Sequence, residues 1–266
     1  MTNENPLLVD VTPNGVATVT LNRPQVHNAF NGDLIEALGD AFDDLGKQDG
    51  VRVICVEGAG KSFSAGGDLA WMKRSVDLTY DQNVEETLAL ASMLKTLNTC
   101  PKPTIALVHG NAYAGGMGVV AACDMAIVES NAVFCLSEVR LGLLAATISP
   151  YVTAAMGVRA ARRYFLTAER FDAMEALRIG FVHKVVANRE ELYATRDQLV
   201  KYLLAGGPEA IAASKQLIAD VAYKPVTSEL MLDTAKRIAE ARASDEGQEG
   251  LASFFEKRKP RWAKEE

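Results

Sequence analysis

The chain has 266 residues, 48% of them hydrophobic and 23% charged, with a formal net charge of -6. This excludes a disordered chain, and the length suits one α/β body with an appendage better than two independent domains. The negative balance argues against nucleic-acid partners, because the basic clusters (residues 159–163 and 257–261) are short and local. Cys55, Cys100, Cys123 and Cys135 stand singly in mostly apolar stretches, without CxxC or Cys/His spacing. They read as buried free thiols in a reducing compartment, with no metal site. The polar start, Met1 to Pro6, lacks the pattern of a secretory leader, and no apolar run reaches membrane-spanning length. The expectation is a cytoplasmic protein without a membrane partner.

In chain order, Val16 to Leu21 alternates as a strand does and ends at Asn22-Arg23-Pro24. Leu34, Leu38, Ala41, Phe42 and Leu45 mark one helix face, with Asn31 as its cap. Val51 to Val56 predicts a buried strand entering a glycine-bearing loop at Gly58 to Asp68. A helix over Glu85 to Leu97 stops at Cys100-Pro101-Lys102-Pro103. The strand Thr104 to Val108 leads into a second glycine loop, Gly110 to Gly118, and a helix from Val119 to Ala122. Short strands are expected at Met125 to Val128 and Val133 to Leu136, then helices over Ala154 to Phe165 and Asp172 to Ile179. Gly180 caps the second of these helices, and Phe181 to Val186 returns to strand. After about Arg189 the pattern is helical and more polar. The prediction is an α/β fold: a core over residues 1–190 and an all-helical C-terminal region over 191–266.

The two glycine loops, Phe63-Ser64-Ala65-Gly66-Gly67-Asp68 and Ala114-Gly115-Gly116-Met117-Gly118, each link a strand to a helix. Glycine lets a ligand approach the main chain, and a helix start leaves N–H groups unpaired. Two such starts facing one another would make an oxyanion hole. Taken singly, each loop is an ordinary turn, and neither matches a dinucleotide or phosphate-loop pattern.

The sequence resembles the enoyl-CoA hydratase/isomerase (crotonase) superfamily over nearly its whole length. The resemblance rests on Leu21-Asn22-Arg23-Pro24 with Asn28-Ala29, Phe63 to Asp68, Pro103 to Asp124, Ser137-Glu138-Val139-Arg140-Leu141-Gly142, Leu166-Thr167-Ala168 with Ala173, Ala176 and Gly180, and Gly250 to Trp262. It implies a ClpP-like spiral of ββα units with a helical C-terminal trimerisation region. It also implies an oxyanion hole from the N–H groups of Gly67 and Gly115, and coenzyme A contacts near Asn28, Ala29 and Ala65. Glu138 becomes the acid–base carboxylate, and Lys257 a candidate for a coenzyme A phosphate, reached across a subunit boundary in a homotrimer or a dimer of trimers. Coenzyme A enters only as part of the acyl-CoA substrate, with no separate cofactor. By residue type alone, Glu138 would be a surface carboxylate paired with Arg140.

One position departs from the pattern. Two-glutamate hydratases of this family carry their other carboxylate three residues after the oxyanion glycine, where this chain has Gly118. Trp71-Met72-Lys73, residues 134–142, Thr147-Ile148-Ser149-Pro150 and residues 160–171 resemble bacterial 3-methylglutaconyl-CoA hydratases, a subgroup that often has glycine there. That likeness implies a β-methylated dicarboxylic substrate from leucine or isoprenoid breakdown. Lys73, Arg74 and Arg140 are the candidate cations for its distal carboxylate. Trp71 and Met72 suit either an acyl pocket or core packing. The alternatives are an isomerase or other enolate chemistry and, in a different class, non-enzymatic acyl-CoA or RNA binding. His109 precedes the second loop and reads as structural, since no nucleophile motif accompanies it. His27 and His183 assemble no metal site.

Overall fold

Leu7–Val11 (β1) and Val16–Leu21 (β2) pair antiparallel, with Leu7 opposite Leu21. The turn between them needs Gly15, whose φ is 88° and where a Cβ would lie 2.5 Å from the Gly50 carbonyl. The computed structural model describes residues 5–263.

Four further strands extend this hairpin in parallel: Val53–Gly58 (β3), Thr104–Val108 (β4), Met125–Glu129 (β6) and Lys184–Val186 (β9), giving the order β1-β2-β3-β4-β6-β9. Both faces of this sheet are covered, which explains the unbroken apolar runs in β3 and β4. Ile54 and Val56 face the main core with Leu34, Leu38 and Phe42, while Val53 and Cys55 face a second cluster with Leu192 and Val200. A smaller sheet joins Asn111–Tyr113 (β5), Val133–Cys135 (β7) and Phe171–Asp172 (β8).

The main core lies under Gly32–Lys47 (α1), Tyr80–Thr99 (α3), Gly115–Ala122 (α4) and Ser149–Thr167 (α5). Short helices at Leu69–Arg74 (α2) and Ala173–Arg178 (α6) fill between them. Asn31 caps α1 as expected, its side chain accepting from the Leu34 N–H at 3.1 Å. From Arg189 onward only helices follow among the described residues: Arg189–Ala205 (α7), Pro208–Val221 (α8), Ser228–Ala243 (α9) and Asp245–Phe255 (α10). Helix α7 covers the second cluster, whereas α8 and α9 bury no residue. Polar contacts tie this region to the body: Arg52 Nη2 to the Gly206 carbonyl at 2.8 Å, Trp262 Nε1 to the Ala205 carbonyl at 3.1 Å, and Lys215 Nζ to Asp124 at 2.8 Å.

Several elements differ from expectation. Strand β1 was not anticipated; only Leu7 of its five residues is buried, so it carries no alternating pattern. Helix α3 starts at Tyr80 rather than Glu85, because Thr79 and Gln82 form a reciprocal capping box. Helix α5 starts at Ser149, and Gly157 breaks its backbone at φ 75°, ψ 155°. Phe181 and Val182 are buried and lie outside β9, so that strand is shorter than expected. Helix α4 begins at Gly115, not after Gly118, so the second glycine loop is divided between β5 and the first turn of α4.

Candidate functional site

The two glycine segments meet because their flanking backbones are stitched together. The Ser64 N–H donates to the Asn111 carbonyl at 3.0 Å, and the Tyr113 N–H donates to the Ser64 carbonyl at 2.9 Å. Phe30 bridges to Gly67 through its N–H on the Gly66 carbonyl (2.7 Å) and through the Asp68 N–H on its own carbonyl (2.9 Å). Neither bond uses the Gly67 N–H. Gly115 is the first residue of α4, so its N–H has no partner within the helix. Two backbone donors are thus left free on adjoining segments, and the α4 N-terminus adds a partial positive charge. The tight join needs glycine at 66: φ there is 88°, and a Cβ would lie 2.8 Å from the Ala114 Cβ. Gly66→Ala is expected to cost about 1–2 kcal/mol of backbone strain and to push the two donors apart. Steady-state kinetics should show kcat falling more than KM rises; an unchanged kcat would mean that the donors tolerate the shift.

Arg23 and Asp68 lock the first segment from outside. Their ion pair measures 2.9 Å, and Arg23 also donates to the Ala29 carbonyl. Asp68 caps α2 by accepting from the Ala70 and Trp71 N–H groups. Burial works to raise the Asp68 carboxyl, but hydrogen bonds from Arg23, Trp71 and Ala70 outweigh it and hold it below the usual aspartate range. Sequence reasoning missed this clamp, although Arg23 and Asp68 both lie in stretches that carry the resemblance.

Glu138 opens a single 3-10 turn, Glu138–Leu141, after β7. Its Oε2 is buried and makes no hydrogen bond in the structure. Burial pushes its carboxyl above the usual glutamate range, with its own backbone N–H pulling partly back. Pairing with Arg140, the bland alternative, does not occur: Arg140 Nη2 donates to the Ala168 carbonyl at 2.7 Å. A half-buried carboxylate with a spare oxygen can accept or return a proton.

The expected coenzyme A contacts divide. Ala65 is exposed on the rim of the first segment. Asn28 is fully buried at φ 56°, with its side-chain amide donating to the Ala59 and Ser62 carbonyls and its Oδ1 accepting from the Arg23 N–H. Its side chain is taken up by hydrogen bonds within the turn. Ala29 is buried beside it. Lys257 is exposed in the left-handed region, at φ 56°, and lies outside the join of the two glycine segments. Met72 sits over Gly67, its Sδ 3.2 Å from where a Cβ would be, while Trp71 packs on the core.

The histidines are structural here. His109 Nε2 bonds the Gly60 carbonyl at 3.0 Å, and its Nδ1 is buried without a partner. Burial and then Arg189 lower its pKa. His183 Nδ1 accepts from the Ala126 N–H at 3.1 Å, and His27 pairs with Ser62. No group of His, Cys, Asp or Glu among the described residues is arranged to hold a metal ion. No helix among them is long and apolar enough to cross a membrane.

The sequence matches the enoyl-CoA hydratase/isomerase family over residues 11–265. An enoyl-CoA hydratase from Shewanella pealeana superposes with a TM-score of 0.93 at 40% identity, covering 97% of this chain and 96% of its own. The short-chain-enoyl-CoA hydratase of Clostridium acetobutylicum is 30% identical, covering 92% of both chains. A trans-2-decenoyl-[acyl-carrier-protein] isomerase from Streptococcus mutans is also 30% identical, covering 94% of this chain and 95% of its own. With joined glycine segments, a helical C-terminal region and a family match across nearly its full length, the chain belongs to the enoyl-CoA hydratase/isomerase (crotonase) superfamily.

Proposed function

We propose that the protein hydrates a 2-enoyl-CoA thioester, with Gly67 and Gly115 holding the thioester oxygen and Glu138 moving the proton. The observation that carries this reading is the unpartnered Glu138 Oε2 in a chain whose two glycine segments leave two backbone donors free. Water gives its hydroxide to Cβ and a proton to Glu138. Electron density moves through the Cα–carbonyl system onto the thioester oxygen, where the two N–H groups stabilise it. Glu138 then returns the proton to Cα, so one water is added and the carboxylate is restored.

The acyl group we assign is 3-methylglutaconyl or a β-methylated dicarboxylic relative. Lys73 and Arg74 support this, because they end α2, the helix that begins beside Gly67, and both are exposed and without an ion pair among the described residues. Arg140 is the weaker candidate, being tied to Ala168. Adenosine and pantetheine would lie along the Ala65 rim, with Lys257 of a second copy reaching the phosphates. Exposed Met231, Leu232, Ile238, Phe254 and Phe255 on α9 and α10 support a homotrimer or a dimer of trimers. Four unpaired buried thiols support a cytoplasmic setting.

Loss of conjugated-thioester absorbance, compared between crotonyl-CoA and 3-methylglutaconyl-CoA, with product analysis after turnover in water labelled with both heavy oxygen and deuterium, tests the reading. Label at Cβ with a strong preference for the dicarboxylic substrate is the expected result. Deuterium at a shifted carbon without added oxygen would establish isomerisation instead, the reading favoured by a lone carboxylate and by the isomerase relative.

Because the base must be ionised, kcat/KM should rise with pH through the Glu138 pKa. Burial places that limb above the ordinary glutamate value of about 4.3. A midpoint at or below that value in a pH–rate profile would remove the desolvated pocket from the mechanism.

A further inference from the structure

Position 118 lies one helical turn beyond Gly115 on α4, and its side-chain space is already filled. A Cβ built there would lie 2.3 Å from Ile148 Cγ2 and 2.9 Å from Ile148 Cβ, with Leu94 Cδ1 at 3.6 Å. Ile148 is 2% exposed and Leu94 is fully buried. Both Ile148 atoms are at or next to the branch point, where χ1 is stiff, so the overlap cannot be relieved by swinging a flexible tip away. Ile148 is further held because its carbonyl accepts the Val152 N–H at 3.0 Å in the first turn of α5. The loop that follows Glu138 therefore returns to press hydrocarbon onto the helix that starts at Gly115.

This matters because α4 carries no titratable group: it reads Gly-Gly-Met-Gly-Val-Val-Ala-Ala. Two polar side chains of the adjoining glycine segment are occupied. Ser64 Oγ donates to the Asn28 carbonyl and accepts from the Gly66 N–H, and Asp68 is bound by Arg23 and the α2 cap. Glu138 Oε2 and His109 Nδ1 are the two buried side-chain atoms without a partner among the described residues, and His109 is turned to Gly60.

We infer that Ile148 is a specificity-determining residue: by occupying the space of any side chain at 118, it bars a second carboxylate and leaves Glu138 the single proton carrier. The inference rests on the acid–base role given to Glu138, which the Glu138→Gln variant tests separately. It differs from ordinary core packing in what it demands of Ile148. A packing residue affects only stability, whereas this one sets how many acid–base groups the enzyme can use.

Four variants read by Tm and by kcat/KM against pH, with crotonyl-CoA as probe, decide it. Gly118→Glu alone should fold poorly or turn over no faster than wild type. Gly118→Glu with Ile148→Ala should recover Tm, raise crotonyl-CoA hydration by about 10²-fold, the low end for an added acid–base group, and add a second ionisation to the profile. Ile148→Ala alone should lose Tm and keep one ionisation. In that variant, formate should speed crotonyl-CoA hydration in a saturable way by entering the vacated space, and it should do nothing to wild type. Formate rescue therefore keeps the test open if the double variant does not fold. A folded double variant with one ionisation and wild-type rate, or no formate effect in Ile148→Ala, overturns the inference. So does a Gly118→Glu variant as stable as wild type.

Discussion

Replacing Glu138 with glutamine is expected to lower kcat by about 10²–10⁴-fold, the range for removal of a positioned acid–base group. The amide keeps the side chain's shape, so acyl-CoA binding should survive, and KM should move far less than kcat. Stability gives an independent check. Burial raises the Glu138 pKa in the folded chain, so the native state holds that proton more tightly than the unfolded state does. Its contribution to stability is greatest below the unfolded value and is lost as pH rises through the raised folded value. Once pH passes that raised value, the protein carries an ionised carboxylate with an unpaired buried oxygen, and glutamine removes that charge. Above that value the Tm of Glu138→Gln should equal or exceed that of wild type. A variant that is less stable and only slightly slower would make Glu138 a structural group.

The parts of this site that could be read from sequence are those set by local chemistry. Asn31 before an apolar-periodic stretch specifies the α1 cap, and the continuous apolar runs of β3 and β4 specify buried parallel strands. The glycine segments were legible as strand-to-helix transitions, but only the resemblance paired them, because the Ser64–Asn111 and Phe30–Gly66 bonds join residues far apart in the chain. Arg23 and Asp68 are equally distant in sequence, and neither alone suggests a clamp. Asn28 was legible as part of the matched stretch, but its left-handed backbone and internal hydrogen bonds were not. Glu138 beside Arg140 suggested a local pair, but side chains two apart on a helical turn do not face each other. Strand β1 escaped notice because an edge strand with one buried residue has no pattern to see. In the sequence Ile148 stands out only through the Thr147-Ile148-Ser149-Pro150 match, and only the fold sets it against Gly118.

Removing the N–H of Gly115 should be nearly as damaging as removing the carboxylate, by a different route. Proline is a suitable probe because Gly115 is the first residue of α4, where no helical hydrogen bond is lost. Gly115→Pro deletes one of the two donors proposed to hold the thioester oxygen, and loss of such a donor costs about 10²–10³-fold in kcat. The ring must also fit near Phe30, whose Cδ2 would lie 3.2 Å from a Cβ at 115. Gly115→Ala makes that contact while keeping the N–H, so it reports the steric part alone. If the donor stabilises the enolate, Gly115→Ala retains most of its turnover, whereas Gly115→Pro loses it with little change in KM and an unaltered near-ultraviolet circular dichroism spectrum. Equal losses in the two variants would assign the effect to crowding at Phe30. A folded Gly115→Pro enzyme with wild-type kcat would show that the thioester oxygen is held elsewhere. On the proposed roles, with the Glu138 carboxylate moving the proton and the Gly115 amide holding the charge left behind, the double variant should lose less than the product of the two single losses. The proton transfer and the charge it creates belong to one transition state, and groups that act together on it are not additive.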